Sequence, residues 1–216
     1  ALILAVRFLF CKISVPWAIF LAVFHSISAF CNAGFDLFGF IAPGQSLIVF
    51  NDDPIICLTL MALVTIGGLG FLVWEEMARV RKFKNFSVYT KLVLLMTGGI
   101  LLVGTMVILL LEWNNPVTFA DMPIWQKVMN AFFQTGTLRT AGFVTVDQAG
   151  LQDATKAFSI LIMFIGGSSG STAGGLKTVT VLVLLLFLIQ AGLLVSVMVW
   201  FQEWQAQVVG ASAALT

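Results

Sequence analysis

Charge is what this chain has least of. Of its 216 residues only 10% are Asp, Glu, Lys or Arg, against about 25% in a soluble domain. The balance is +1 at pH 7, so nothing in the charge points to a nucleic acid partner. Histidine occurs once, at His25, which leaves one candidate imidazole base. Cys11, Cys31 and Cys57 are the only cysteines. They lie in apolar surroundings without CxxC or histidine spacing. They read as small buried hydrophobes rather than disulfide partners or metal ligands, and do not report a redox compartment. The start at Ala1 shows neither an initiator Met nor a basic leader. The chain is expected to be part of a longer product, cut at both ends.

What is present is apolar. The chain is 60% hydrophobic with a mean hydropathy of +1.04, which places it among integral membrane proteins. A spanning helix needs about 20 mostly apolar residues. Residues 54–78 fit one span and 91–112 a second. Residues 151–190 are long enough for two, with a Gly-rich interruption, and 191–200 add another apolar segment. Two shorter segments, 14–30 and 122–138, each start near a proline, which suits a first helical turn. Each ends in small polar residues and then a glycine. Their length predicts core or re-entrant helices.

The order short helix, glycine motif, long helix therefore occurs twice. "VFHSISAFCNAGF" (23–35) overlays "AFFQTGTLRTAGF" (131–143) without gaps. Phe24/Phe132, Ala33/Ala141, Gly34/Gly142 and Phe35/Phe143 match at a constant 108-residue offset. A repeat of this length in a membrane protein predicts repeated subdomains around a pore or substrate site. The loop 79–91 holds five of the eleven basic residues, so the positive-inside rule puts it in the cytoplasm. The other loops then fall outside. They carry Asp36, Asp52, Asp53, Glu112, Asp121, Asp147 and Asp153 against only Lys127 and Lys156. An acidic vestibule of this kind would concentrate cations, while the plainer reading is solvated loop charge.

The motifs "NAGF" (32–35) and "TAGF" (140–143) suit ion contact. Irregular backbone at membrane depth survives where protein buries it or water reaches it. Glycine allows positive φ and leaves no side chain between carbonyl and ion. The C-terminal end of each short helix favours a cation. Carbonyls that replace a hydration shell select K⁺.

"HSISAFCNAGFD", "TLRTAGF" and "MFIGGSSGSTAGGLKT", in this order, resemble the membrane, ion-translocating subunit of bacterial Ktr/Trk potassium transporters, in the Trk/Ktr/HKT superfamily. The resemblance runs from about His25 to about Ile189. It implies an all-α polytopic membrane protein built of helix–pore helix–helix units around a pseudo-fourfold cation channel, of which this is a partial chain. Residues 1–89 would hold the second unit with an incomplete first helix and the basic loop. Residues 90–190 would hold the third, and 191–216 a candidate start of the fourth. Asn32, Ala33, Gly34 and Phe35 would form one filter quarter, and Thr140, Ala141, Gly142 and Phe143 another. K⁺ would be held by the carbonyls of Asn32, Ala33, Thr140 and Ala141. The stretch Gly166, Gly167, Ser168, Ser169, Gly170 and on through Ser171, Thr172, Ala173, Gly174, Gly175 to Lys177 would be an intramembrane gate loop. Its hydroxyls and free backbone groups suit a wet cavity. Lys177 would bond loop carbonyls, repel cations or snorkel to the interface.

The resemblance further implies potassium uptake across a bacterial inner membrane, K⁺ as substrate with Na⁺ as a candidate activator, and no covalently bound cofactor. It implies a homodimer in the lipid bilayer on a cytoplasmic nucleotide-binding (KtrA/TrkA-like) regulatory subunit. Which ion is preferred stays open, since only two filter segments are in view.

Other readings of the Gly-rich stretch are weaker. A phosphate loop needs lysine directly after its second glycine, and Leu176 intervenes before Lys177. "GSSG" (167–170) could offer Ser169 as an intramembrane protease nucleophile, which needs a base that only His25 could supply. A small-solute carrier with a broken-helix midplane site is the remaining alternative. His25 is expected to pack or bond beside the filter. Arg139 is expected to brace the filter through backbone carbonyls or an acidic neighbour. Gly67, Gly68 and Gly70 are expected to allow close helix packing, and Glu75 and Glu76 to be solvated interface charge.

Overall fold

Two helix starts in this chain are set by side chains that satisfy the free N–H groups of a first turn. Asp53 accepts from the N–H groups of Ile55 and Ile56 at 3.0 and 3.2 Å, with Pro54 in the first turn. Ser87 Oγ accepts from Thr90 N–H at 3.2 Å. The computed structural model describes residues 1–41 and 43–213. They form α1 (Leu2–Phe10), α2 (Val15–Phe30), α3 (Pro54–Leu69), α4 (Phe71–Arg79), α5 (Val88–Glu112), α6 (Ile124–Thr137), α7 (Asp153–Phe164) and α8 (Thr178–Ala213). Single 3₁₀ turns lie at Phe38–Phe40, Ser46–Phe50 and Phe83–Asn85. No strand occurs among the described residues, so the architecture is all-helical as expected.

The two short apolar segments are indeed short helices, α2 and α6, each followed by its glycine motif. At 1.5 Å per residue α5 is about 37 Å long, enough to cross a bilayer. The stretch Thr178–Met198 of α8 is also long and apolar enough. The span expected over 54–78 is broken. Gly70, at φ 88°, separates α3 from α4, and the two helices meet at 95°. Gly70 is open to that φ because it has no Cβ. The interruption expected within 151–190 is present between α7 and α8, but no break marks residue 190, since α8 continues to Ala213. Of the segment 191–216, residues 214–216 lie outside the described residues.

Contacts divide the chain into two units, Ala1–Val179 and Thr180–Thr216. Both short helices with their glycine motifs lie in the first. Within it α1, α2 and α3 pack together, α5 packs against α6 and α7, and α3 packs on α6. The α3–α6 contact joins the copies. One buried cluster runs from Leu4, Phe8, Leu21 and Phe38 through Leu60 and Met61 to Phe133, Ala141 and Phe143. A second, with Ile108, Phe119, Ala131 and Ile162, sits between α5, α6 and α7. Outside these, Leu95, Leu102, Val103 and Leu110 of α5 stand exposed. An apolar exterior of this extent belongs in lipid or against further apolar helices, not in water.

Candidate functional site

Both glycine motifs leave their short helices with the same backbone signature. Asn32 and Thr140, 108 residues apart, have φ of 50° and 66°. Gly34 and Gly142, at the same offset, have φ of 72° and 86°. The two segments touch. A Cβ on Gly34 would run into the Ala141 carbonyl oxygen and stand 2.9 Å from Gly142 Cα. A Cβ on Gly142 would lie 3.4 Å from Gly34 Cα. Side chains are excluded at Gly34 by space and by conformation together.

The hydroxyl of Ser28 donates to the carbonyl of Phe35 at 2.7 Å, and that of Thr137 to the carbonyl of Phe143 at 2.7 Å. Thr137 sits one repeat position later than Ser28, so the same bond is made from neighbouring places. Beyond the glycines, the chain is pinned to the short helices again. His25, fully buried, has Nδ1 at 2.7 Å from the Leu21 carbonyl, while Nε2 takes the Leu37 N–H at 3.2 Å. These partners assign the neutral Nδ1–H tautomer. Its ring stacks on Phe38 with centroids 4.1 Å apart. Gln134 and Gln148 exchange bonds at 2.7 and 3.1 Å. A cavity of about 340 Å³ lies beside the second motif, lined among others by Ala33, Thr137, Thr140, Gly142, Gln148 and Met163.

The Gly-rich stretch is folded and closed at its base. Gly166 N–H donates to the Leu176 carbonyl at 3.0 Å and Leu176 N–H to the Phe164 carbonyl at 3.1 Å, a short parallel pairing of Ile165 with Leu176. Its middle docks on the break between α3 and α4. Ser168 N–H donates to the Gly68 carbonyl at 3.0 Å and Ser168 Oγ to that of Leu69. Phe71 N–H donates to the Gly170 carbonyl at 3.1 Å, and the Tyr89 hydroxyl to that of Ser169 at 3.0 Å. Thr172 N–H donates to the Gly67 carbonyl at 3.4 Å, so Gly67 and Gly68 both offer carbonyls to this loop. A Cβ on Gly67 would also strike the Phe30 carbonyl, as its expected role in close packing requires.

The same loop reaches both glycine motifs. Asn32 Nδ2 donates to Thr172 Oγ1 at 3.0 Å, and Gly174 N–H donates to Thr140 Oγ1 at 3.0 Å. Arg139, 6% exposed, donates through a terminal guanidinium nitrogen to the Gly166 carbonyl at 3.1 Å. The described bond of Arg139 thus goes to the loop base and not to a filter carbonyl or an acid. Lys177 Nζ donates to the Ala173 carbonyl at 2.9 Å, the first of the roles expected for it. A void of about 10 Å³, lined in part by Asn32, Thr65, Gly68, Arg139 and Ala173, lies between motifs and loop. It has room for about one water.

Several charges stand elsewhere than expected. Glu112 is fully buried rather than in an outer vestibule. It accepts from Asn115 Nδ2 at 2.6 Å, Thr118 Oγ1 at 2.7 Å, Gln152 N–H at 2.9 Å and the Thr155 hydroxyl. It ties the end of α5 to the start of α7, a role that depends on donors about forty residues away. Asp53 is buried as the cap of α3 and pairs with Arg7 at 2.5 Å. Lys127 is buried, bonded to the Trp113 carbonyl at 3.0 Å and 4.8 Å over that ring. Asp52, Asp121, Asp147 and Asp153 are exposed. Glu76 is bonded to the Ser87 N–H at 2.5 Å and hydroxyl at 2.7 Å, and to the Thr90 hydroxyl, which fastens α4 to α5. Of the cysteines only Cys57 is buried. Cys11 is half-buried and Cys31 exposed, because it caps α2 where the chain leaves the helix.

The protease reading fails on geometry, since both ring nitrogens of His25 are engaged by the backbone. Among the described residues no cluster of His, Cys, Asp and Glu has the makings of a metal site.

A protein-family model described as "TrkH: Cation transport protein" matches residues 11–192. The Ktr system potassium uptake protein B of Bacillus subtilis is 38% identical over 192 residues, 86% of this chain and 40% of that protein. The protein of the same name from Vibrio alginolyticus is 41% identical over 163 residues, 74% of this chain and 35% of that one. The potassium/sodium uptake protein NtpJ of Enterococcus hirae is 37% identical over 172 residues, 79% and 37% of the respective chains. Among solved structures, the potassium transporter TrkH from Vibrio parahaemolyticus is similar with a TM-score of 0.65 at 25% identity. That match covers 83% of this chain and 36% of TrkH. The chain spans roughly two fifths of the length of these relatives.

Proposed function

Because the chain belongs to the TrkH family of cation transport proteins, ion transporters rather than enzymes, we propose that it is part of a potassium uptake protein. The names of its relatives support K⁺ as the ion. In this reading 32–35 and 140–143 are two of four filter segments, and 166–177 is the gate. Its cytoplasmic face carries the basic loop 79–91. The whole protein works as a homodimer in a bacterial inner membrane on a nucleotide-binding regulatory subunit, with Na⁺ as an activator.

One observation carries the filter assignment. Two segments related by the repeat share positive φ at both Asn32/Thr140 and Gly34/Gly142 and meet backbone to backbone. Such paths turn carbonyls toward a common axis instead of into a helix, and carbonyl oxygens strip and replace the hydration shell of K⁺. The Ser28 and Thr137 hydroxyls occupy the carbonyls of Phe35 and Phe143. Those oxygens are thereby taken out of competition for the ion, and the mouth of the filter is fixed. The loop lies against both filter segments, so a cation leaving them meets Ala173 and the Arg139 guanidinium. That arrangement is a closed gate. Like charge on Arg139 opposes a cation in the void while the loop is docked.

The test is flux of K⁺ and Na⁺ into proteoliposomes by the full-length protein, wild type and Gly142→Ser. A K⁺ preference that the variant loses supports the filter. An unchanged ion ratio, or no cation flux in the wild type, removes it.

A further inference from the structure

Asn32 and Thr140 open the two filter segments at equivalent places, and neither is a glycine. Positive φ is uncommon for any other residue and a true outlier for a β-branched one such as threonine. Their side chains both turn to one short piece of the loop. Asn32 donates to Thr172 Oγ1, and Thr140 Oγ1 accepts from Gly174 N–H, each at 3.0 Å. The Thr172 hydroxyl in turn donates a hydrogen bond to the Phe30 carbonyl at 2.9 Å, two residues before Asn32. The loop is thus gripped two residues apart, once as acceptor and once as donor, by the lead residue of each filter segment.

We propose that Asn32 and Thr140 are positioning residues through which a permeant monovalent cation in the filter keeps the loop docked, and its absence releases the loop. The proposal rests on the reading of 32–35 and 140–143 as filter and 166–177 as gate. The carbonyl and the side chain of one residue pivot about the same Cα. A cation held by filter carbonyls fixes the strained dihedrals at 32 and 140, and so holds Nδ2 and Oγ1 on the loop. Without the cation, the converging carbonyl dipoles repel one another and the two residues relax toward ordinary φ. The side chains then swing off Thr172 and Gly174. The loop needs little to follow, since its glycines carry no steric restriction. The filter itself thereby reports to the gate whether an ion is present, with no movement of the long helices.

The test uses the full-length protein with Cys31→Ala, to silence the exposed thiol, and Ala173→Cys, a buried loop position 4% exposed. Modification of the introduced thiol by a small thiol-reactive cation is timed in K⁺ and in a large impermeant cation, with K⁺ flux measured alongside. Expected is modification about fivefold slower in K⁺, the weight of one neutral hydrogen bond on an opening equilibrium. Thr172→Val and Thr140→Val should make it fast and ion-independent, and Thr140→Ser should restore the K⁺ effect. Ion-independent modification in the parent overturns the coupling, as does a K⁺ effect that survives in both valine variants. Wild-type full-length protein that carries no cation flux sinks the pore reading itself, which separates the two failures.

Discussion

The hydroxyl of Thr137 donates to the carbonyl of Phe143 across the second glycine motif, at 2.7 Å and out of reach of solvent. Thr137→Val keeps the shape and removes the donor. A buried carbonyl left without a partner costs about 1–3 kcal/mol. It can recover that only by turning to water or to the ion. The expected result is a lowered K⁺/Na⁺ flux ratio, restored by Thr137→Ser. The ratio of the two fluxes in proteoliposomes decides it, and a valine variant with wild-type selectivity would show that this hydroxyl is structural only.

Gly34→Ala should be the more damaging of the two alanine substitutions at the paired motif glycines. Its Cβ meets the Ala141 carbonyl, whereas that of Gly142 has 3.4 Å to Gly34 Cα. Both also force a side chain into positive φ, at about 1–2 kcal/mol. Overpacking adds about 1–3 kcal/mol at Gly34. Purified yield and K⁺ flux should fall further for Gly34→Ala than for Gly142→Ala. Equal losses would argue against the contact between the segments.

Glu112→Gln tests a buried knot rather than the pore. Four donors face the carboxylate, and an amide nitrogen there would confront at least one of them. Hydrogen bonds to a charged group are worth about 1.5–3 kcal/mol each. The melting temperature should drop by several degrees while the K⁺/Na⁺ ratio of surviving protein stays at the wild-type value. A selectivity change would mean that Glu112 acts on the ion after all.

Arg139→Gln should loosen the loop base at Gly166, where the guanidinium donates, and remove the positive charge from the void. Cation flux in the resting state should rise, by about tenfold if the bond and the charge together hold about 1.4 kcal/mol of closure. Flux at or below wild type would place Arg139 in folding rather than gating.

The repeat was legible because its parts are local. Short apolar runs ending in "NAGF" and "TAGF" predict α2 and α6 almost to the residue, and the run 91–112 predicts α5. The break at Gly70 was not, because hydropathy runs on undisturbed through "TIGGLGFLVW" and only Gly70's φ of 88° interrupts the helix. Residues whose role depends on distant partners were misread in a consistent way. Glu112 and Asp53 looked like loop charge, yet their partners Thr155 and Arg7 lie 43 and 46 residues off. For Arg139 the expected backbone carbonyl partner is found, but it is that of Gly166, 27 residues on. Spacing along a chain locates a motif but not where a long side chain ends.

The pairing of Ile165 with Leu176 has a bearing on how such a sequence can change over generations. Inside a continuous helix, one added residue rotates everything after it by about 100° and puts lipid-facing positions into the core. Here the two ends of the interruption are stitched to each other, so added or lost residues within 168–175 bulge or shrink the loop and leave the register of residues on either side intact. The stitched base leaves the length of this stretch free to drift without disturbing the helices that flank it.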